Sequence, residues 1–134
     1  MSDAVMDKVN RSYGQCCTSK GFFDDFYNNF LASSPEIAGM FAGTEMTRQK
    51  QLLRAGIGHL IMAYRGQPMS KMKLEKIAVS HNAAHMNIKP ALYPLWKKAL
   101  LTTIAKHDPE FDEEIRKAWL KVLDKGISDI IARY

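Results

Sequence analysis

The sequence predicts an all-α protein. Apolar residues recur at spacings of three and four along nearly the whole chain, and no stretch alternates apolar with polar residues long enough to make a strand. Prolines and glycines gather at a few points: Pro35, Gly39 and Gly43, Gly66 and Pro68, Pro90 and Pro94, and Pro109. They divide the chain into about six helical stretches joined by short loops.

The first helix is expected from Asp3 to Thr18, with Val5, Val9, Tyr13 and Cys16 or Cys17 at helical spacing. The second spans Gly21 to Ala32, and Phe22, Phe23, Phe26, Tyr27 and Phe30 give it a wide apolar face. Ser33 and Ser34 before Pro35 make a cap-and-proline start for a short helix ending near Phe41. Thr44 is placed to cap a helix over Glu45 to Arg65, which carries Leu52, Leu53, Ile57, Leu60 and Ile61. Gly66 ends it, with Pro68 close behind. A shorter helix is predicted from Lys71 to Ala84, with Leu74, Ile77, Ala78 and His81 on one face. Pro90 opens the next, which runs through Lys106 with Leu92, Leu95, Trp96 and Leu100. Asp108 is placed to cap the last helix, with Pro109 at its first position and Phe111, Ile115, Trp119, Val122, Leu123 and Ile127 along it. Unequal helices, with a short one before a long pair, suit an orthogonal packing better than a four-helix bundle.

At 134 residues, 46% hydrophobic and 25% charged, the chain reads as one globular domain over 1–134 rather than as disorder. The longest apolar runs, such as Gly56 to Ala63, are too short to span a bilayer. The opening MSDAVMDKVN has early acids and no continuous apolar core, unlike a signal peptide, so a cytoplasmic address is expected. The net charge of +5 raises nucleic acid as a partner, but the basic residues alternate with acids, as in KLEK and EEIRKAWLK. A solvated helical surface explains that pattern better than a nucleic-acid footprint. Cys16 and Cys17 are adjacent and have no other cysteine to pair with, so both read as reduced thiols, a vicinal redox pair being the alternative.

No phosphate loop, nucleophilic triad or paired-carboxylate site is present, and Asp112, Glu113 and Glu114 read as complements to a helix dipole. That leaves four histidines: His59, His81, His85 and His107. His107 reads as a surface residue or a helix C-terminal charge, and His59 as a packed or snorkelling side chain. His81 and His85 lie four apart and would share a helix face, but no third metal ligand is near them. His81 stands out because Leu74, Ile77 and Ala78 surround it with apolar surface. Ser80 and the Ile77 carbonyl are suitable acceptors for one ring nitrogen, which leaves the other free to ligate. Taken alone, a histidine so placed is more often an ordinary packed residue.

Several segments together resemble the bacterial globins. DDFYNNFLASSPEIAGMF resembles their second and third helices, with an aromatic pair, a proline-started short helix and a closing phenylalanine. KIAVSH resembles the segment that ends in the iron-binding histidine, while ALYPLW and AWLKVL resemble the last two helices. The order and spacing of these segments cover almost the whole chain. The resemblance implies a globin-like fold of about six to eight helices around a haem b pocket.

It also implies roles for particular residues. His81 matches the proximal iron ligand and Ser80 a position that hydrogen-bonds it; Phe41 matches the phenylalanine that wedges against the haem. Tyr27 matches a distal tyrosine able to donate to a bound diatomic gas. Gln49 with Leu53 matches the distal glutamine and leucine, and a one-residue shift would choose Arg48 with Leu52. Ile77 and Trp96 complete the apolar wall. Arg48, Lys50 and His85 are candidates for the haem propionates. Tyr93 matches a proximal tyrosine, but the glutamate that accompanies it in flavohaemoglobins has no counterpart, since Glu114 is the last glutamate and only Asp129 and Tyr134 lie near the expected place. The function implied is reversible binding of oxygen, nitric oxide or carbon monoxide, in a monomer or homodimer. The alternatives are nitric oxide dioxygenation or a weak peroxidase activity, the former with an external reductase, and a haem-free or sensory globin acting through protein partners.

Overall fold

The computed structural model describes residues 4–134. Their elements are α1 (Ala4–Thr18), α2 (Phe22–Ala32), α3 (Pro35–Met40), α4 (Met46–Tyr64), α5 (Pro68–His81), a 3₁₀ turn (Pro90–Leu92), α6 (Tyr93–His107) and α7 (Glu113–Ile131). These are seven α-helices and no strand among the described residues, as the periodicity predicts. Asp3, the expected start of the first helix, lies outside the described residues. None of the helices is long and apolar enough to cross a membrane.

Helix ends are where the sequence reading needs correction. The Ser34 hydroxyl accepts from Glu36 N at 3.2 Å with Pro35 beginning α3, as expected. At α4, however, the cap is Glu45 rather than Thr44. Its carboxylate reaches both Thr47 N at 3.0 Å and Arg48 N at 2.9 Å, one oxygen to each of two orphan donors. At α7 the cap is Asp112, which accepts from Ile115 N at 2.8 Å, and not Asp108. Asp108 instead shapes the preceding turn by accepting from Glu110 N at 2.9 Å, while its other carboxylate oxygen is buried without a partner.

Two helices are also displaced from their expected spans. α5 begins at Pro68, ahead of the expected Lys71, because proline at a first helical position loses no hydrogen bond. It stops at His81 rather than Ala84, where the Asn82 side chain accepts from Ala84 N at 3.1 Å and turns the chain. Pro90 opens only the 3₁₀ turn, and the α-helix proper starts at Tyr93, followed by Pro94. Gly66 ends α4 as expected. Its φ of 97° lies in the left-handed region, with Gly66 N bonded to Ala63 O and Gln67 N to Met62 O.

Packing pairs α1 with α7, α2 with α6, and α4 with both α5 and α7. The core they enclose is built on Trp119, Phe22, Phe26, Leu100, Ile104 and Leu123, all fully buried. Trp119 carries the one polar group among these six, and its indole Nε1 donates to the buried Ser12 hydroxyl at 2.9 Å. That bond ties α7 to α1 without stranding a donor in the core.

His107 stands in the last turn of α6, as one of its two sequence readings expects, but it does not lie on the surface. It is a packed side chain, 8% exposed, rather than a surface charge. Its Nε2 donates to Asp25 at 2.6 Å, and its Nδ1 lies 2.6 Å from the Ser19 hydroxyl. Lys106 adds a contact to the same carboxylate at 3.1 Å. The hydrogen bond from His107, then that from Lys106, holds the Asp25 carboxyl below its ordinary value of 3.8. A depressed carboxyl stabilises the fold at pH above its unfolded value and loses that contribution as pH falls through the lower folded value. Asp25→Ala is therefore expected to lower the urea midpoint at pH 7 and to leave it close to wild type in strong acid. An equal deficit at both pH values would count against the network.

Candidate functional site

A first group of candidate residues is held by α2, α3 and α4. Tyr27 is buried on α2, one turn from Phe30 and edge-on to Phe26 at 5.0 Å between ring centroids. Phe41, just past α3, meets Tyr27 at 5.8 Å and Phe30 at 6.0 Å. Phe26 in turn reaches Trp96 of α6 at 6.0 Å. An aromatic wall thus runs from α3 through α2 to α6. Phe26 was legible in the sequence only as part of an apolar helix face, though its spacing of four from Phe22 and Phe30 places it there.

One polar pair interrupts this wall. Gln49 Nε2 donates to Tyr27 Oη at 3.1 Å, and the phenol points back to the Gln49 carbonyl at 3.4 Å. For an O–H donor that second distance is long, so the tyrosine proton is loosely held. Burial raises the Tyr27 hydroxyl above its ordinary value while the Gln49 bond opposes that, which keeps the phenol a donor near neutral pH.

The register of α4 follows from the same contact. Gln49 meets Tyr27, whereas Arg48 is exposed. Leu53 is 8% exposed and Leu52 52%, so Leu53 turns inward and Leu52 toward solvent. Of the two registers open in the sequence, the structure has Gln49 with Leu53.

A second group of candidate residues lies at the C-terminal turn of α5. His81 Nδ1 lies 2.8 Å from the Ile77 carbonyl and 3.0 Å from the Ser80 hydroxyl, which itself donates to the same carbonyl at 2.9 Å. A carbonyl can only accept, so Nδ1 carries the proton and Nε2 holds the lone pair. Burial lowers the His81 value, and the Ile77 bond opposes it in part. The imidazole is neutral at pH 7, its Nε2 ready to ligate.

The remaining expected residues divide. Ile77 is half-buried beside His81. Tyr93 is half-buried, with its hydroxyl pushed up to about 12 by burial, and no hydrogen bond joins it to His81 among the described residues. Asp129 pairs with Lys125 at 3.1 Å, and Tyr134 donates to Asn87. The partners of His81 Nδ1 are therefore a carbonyl and a hydroxyl, with no carboxylate. His85 is exposed and bonded to Asn82 at 2.8 Å, and Lys50 pairs with Asp24 at 2.5 Å. His59 makes only a long contact to Ser70 at 3.4 Å.

Among the described residues, no group of three or more histidine, cysteine or acidic side chains is placed to hold a metal ion between them. Cys16 is buried and Cys17 half-buried, both free, and burial pushes the Cys16 thiol up to about 12, with Asp108 and Cys17 adding to the rise. A thiol in that state is inert. The chemistry on offer is thus a single neutral imidazole on one helix and a paired phenol and amide in an aromatic wall.

The family model for globins matches residues 24–130. A crystal structure of a protein from Pseudomonas aeruginosa PAO1, described as structurally highly homologous to a human haemoglobin, has a TM-score of 0.92 and 52% identity to this chain. The match covers 97% of this chain and 98% of that one. No curated protein matches the chain. The span of the family match and the shared helical architecture lead to one conclusion: the chain belongs to the globin family.

Proposed function

We propose that this globin holds a haem b through His81 and reversibly binds oxygen and other diatomic gases. The observation that carries the reading is the state of His81: Nδ1 is engaged by Ile77 and Ser80, and Nε2 alone is left for iron. These residues fit the group. A neutral imidazole fixed in one tautomer is the usual ligand, and the aromatic wall supplies the apolar surface that a porphyrin needs. When bound, the haem iron supplies the coordination position for the gas.

The protein's own contributions follow from the site. Ile77 and Ser80 orient the His81 ring and raise its basicity modestly, since neither is charged. That modest push suits reversible binding better than oxidative turnover. Phe41, Leu53, Ile77 and Trp96 exclude water. Tyr27 Oη is the leading donor toward a gas ligand, because its proton is loosely engaged and Gln49 Nε2 orients the oxygen that carries it. Arg48 and His85, both exposed, are the groups available to the propionates, Lys50 being already paired.

Removing the phenol proton should release oxygen faster. With one hydrogen bond contributing about 1 kcal/mol, Tyr27→Phe is expected to raise the oxygen dissociation rate about five- to tenfold. Stopped-flow measurement on the haem-loaded protein checks it, and an unchanged rate removes Tyr27 from this role.

A further inference from the structure

A cleft open to solvent lies between α4, α5 and α7, with a volume of about 440 Å³. It falls within the range of about 300–1,000 Å³ that small-molecule sites occupy. Lys71, Leu74, Glu75 and Ala78 line it from α5, and none of Tyr27, Phe41, Gln49, Leu53, Ile77 and His81 is among its lining residues. The cleft is therefore separate from the candidate haem site.

Its floor is apolar, formed by the buried Leu60, Leu74 and Ile130. The space exists because Ala63, Ala78 and Gly126 project little or nothing into it. Gly126 can be nothing larger without displacement, since a Cβ there would come within 2.2 Å of Leu60 Cδ2. α7 thus approaches α4 closely while filling none of the cleft.

The rim is charged, and its pairing is uneven. Arg133 binds Glu75 at 3.1 Å and Lys125 binds Asp129 at 3.1 Å, which neutralises both acids of the rim. Lys71 has no ion-pair partner among the described residues. An apolar floor with one uncompensated positive charge at its mouth selects a ligand with an aliphatic chain and one negative charge. We infer that this cleft binds a medium-chain fatty acid, with its chain on Leu60, Leu74 and Ile130 and its carboxylate at Lys71. A single carboxylate matches the one spare lysine better than a phosphate monoester, which carries nearly twice the charge.

Calorimetric titration of the purified chain with decanoate, decanol and decylammonium tests this. Decanoate is expected to bind saturably at one site per chain, and decylammonium, which meets Lys71 with like charge, more weakly. Decanol should be intermediate. Lys71→Glu, a surface change that leaves the packing intact, should weaken decanoate by about fivefold and narrow its advantage over decylammonium. Ala63→Phe, which fills the cleft, should abolish binding if circular dichroism shows it folded; if it does not fold, the Lys71→Glu result and the head-group series decide. The inference is overturned if decanoate shows no saturable binding or if decylammonium binds as tightly. It is equally overturned if both variants keep wild-type affinity, which would place the ligand elsewhere, the haem side included.

Discussion

His81→Ala is expected to fold normally and to lose most of its capacity to retain haem. The side chain is only partly buried and bonds locally, to Ile77 one turn back and to its neighbour Ser80, so its removal opens no core cavity. The far-ultraviolet spectrum should therefore be unchanged. Altering a group that merely orients a metal ligand costs about 10–100-fold in affinity, so deleting the ligand itself should cost more than about 100-fold. Haem transfer to an excess of a high-affinity acceptor globin measures this directly. Added imidazole should restore part of the retention, because the half-exposed space that His81 leaves at the end of α5 can take the ring, with Ile77 O accepting its N–H. Wild-type retention in His81→Ala would assign the iron to another residue.

The second large effect is on stability. Trp119→Ala removes the largest fully buried side chain and leaves the buried Ser12 hydroxyl without the indole donor. Large aromatic truncations in cores cost about 3–5 kcal/mol, a substantial part of the stability of an ordinary domain. Urea unfolding of the haem-free protein should show a midpoint lowered to match, or no cooperative transition. Trp119→Phe separates the two contributions. It keeps most of the volume but strands Ser12, and should cost about 1–3 kcal/mol. A Phe variant as unstable as the Ala variant would mean that the hydrogen bond, not the packing, dominates the α1–α7 contact.

The parts of the molecule legible in the sequence are those that depend on local pattern. The period of apolar residues along α2, α4 and α7 settles their type and inward faces, and Gly66 and Ser34 mark the end of α4 and the start of α3 for stereochemical reasons. Caps were less legible, because Thr44 and Glu45, or Asp108 and Asp112, are both competent cap residues at adjacent turns. Which one wins depends on how the loop delivers its oxygen to the orphan amides. Glu45 satisfies two at once, and Asp108 is committed to its own turn.

The candidate site shows the same division. Ser80 and the Ile77 carbonyl could be named as partners of His81 because they lie within one turn of it. The choice between Gln49 and Arg48 needed the tertiary contact with Tyr27, 22 residues away. The helix-end position of His107 was legible, but its burial was not: its partners Ser19 and Asp25 lie 88 and 82 residues off in the chain. Long-range pairing of that kind leaves no periodic trace in sequence.

The claim that His81 holds a haem iron is tested most directly by one absorbance series on protein purified from cells supplied with haem. The expected result is a coloured protein whose Soret band shifts on reduction and again on addition of carbon monoxide, in the pattern of a ferrous haem with one neutral histidine ligand. A folded protein that stays colourless with haem in excess would contradict it.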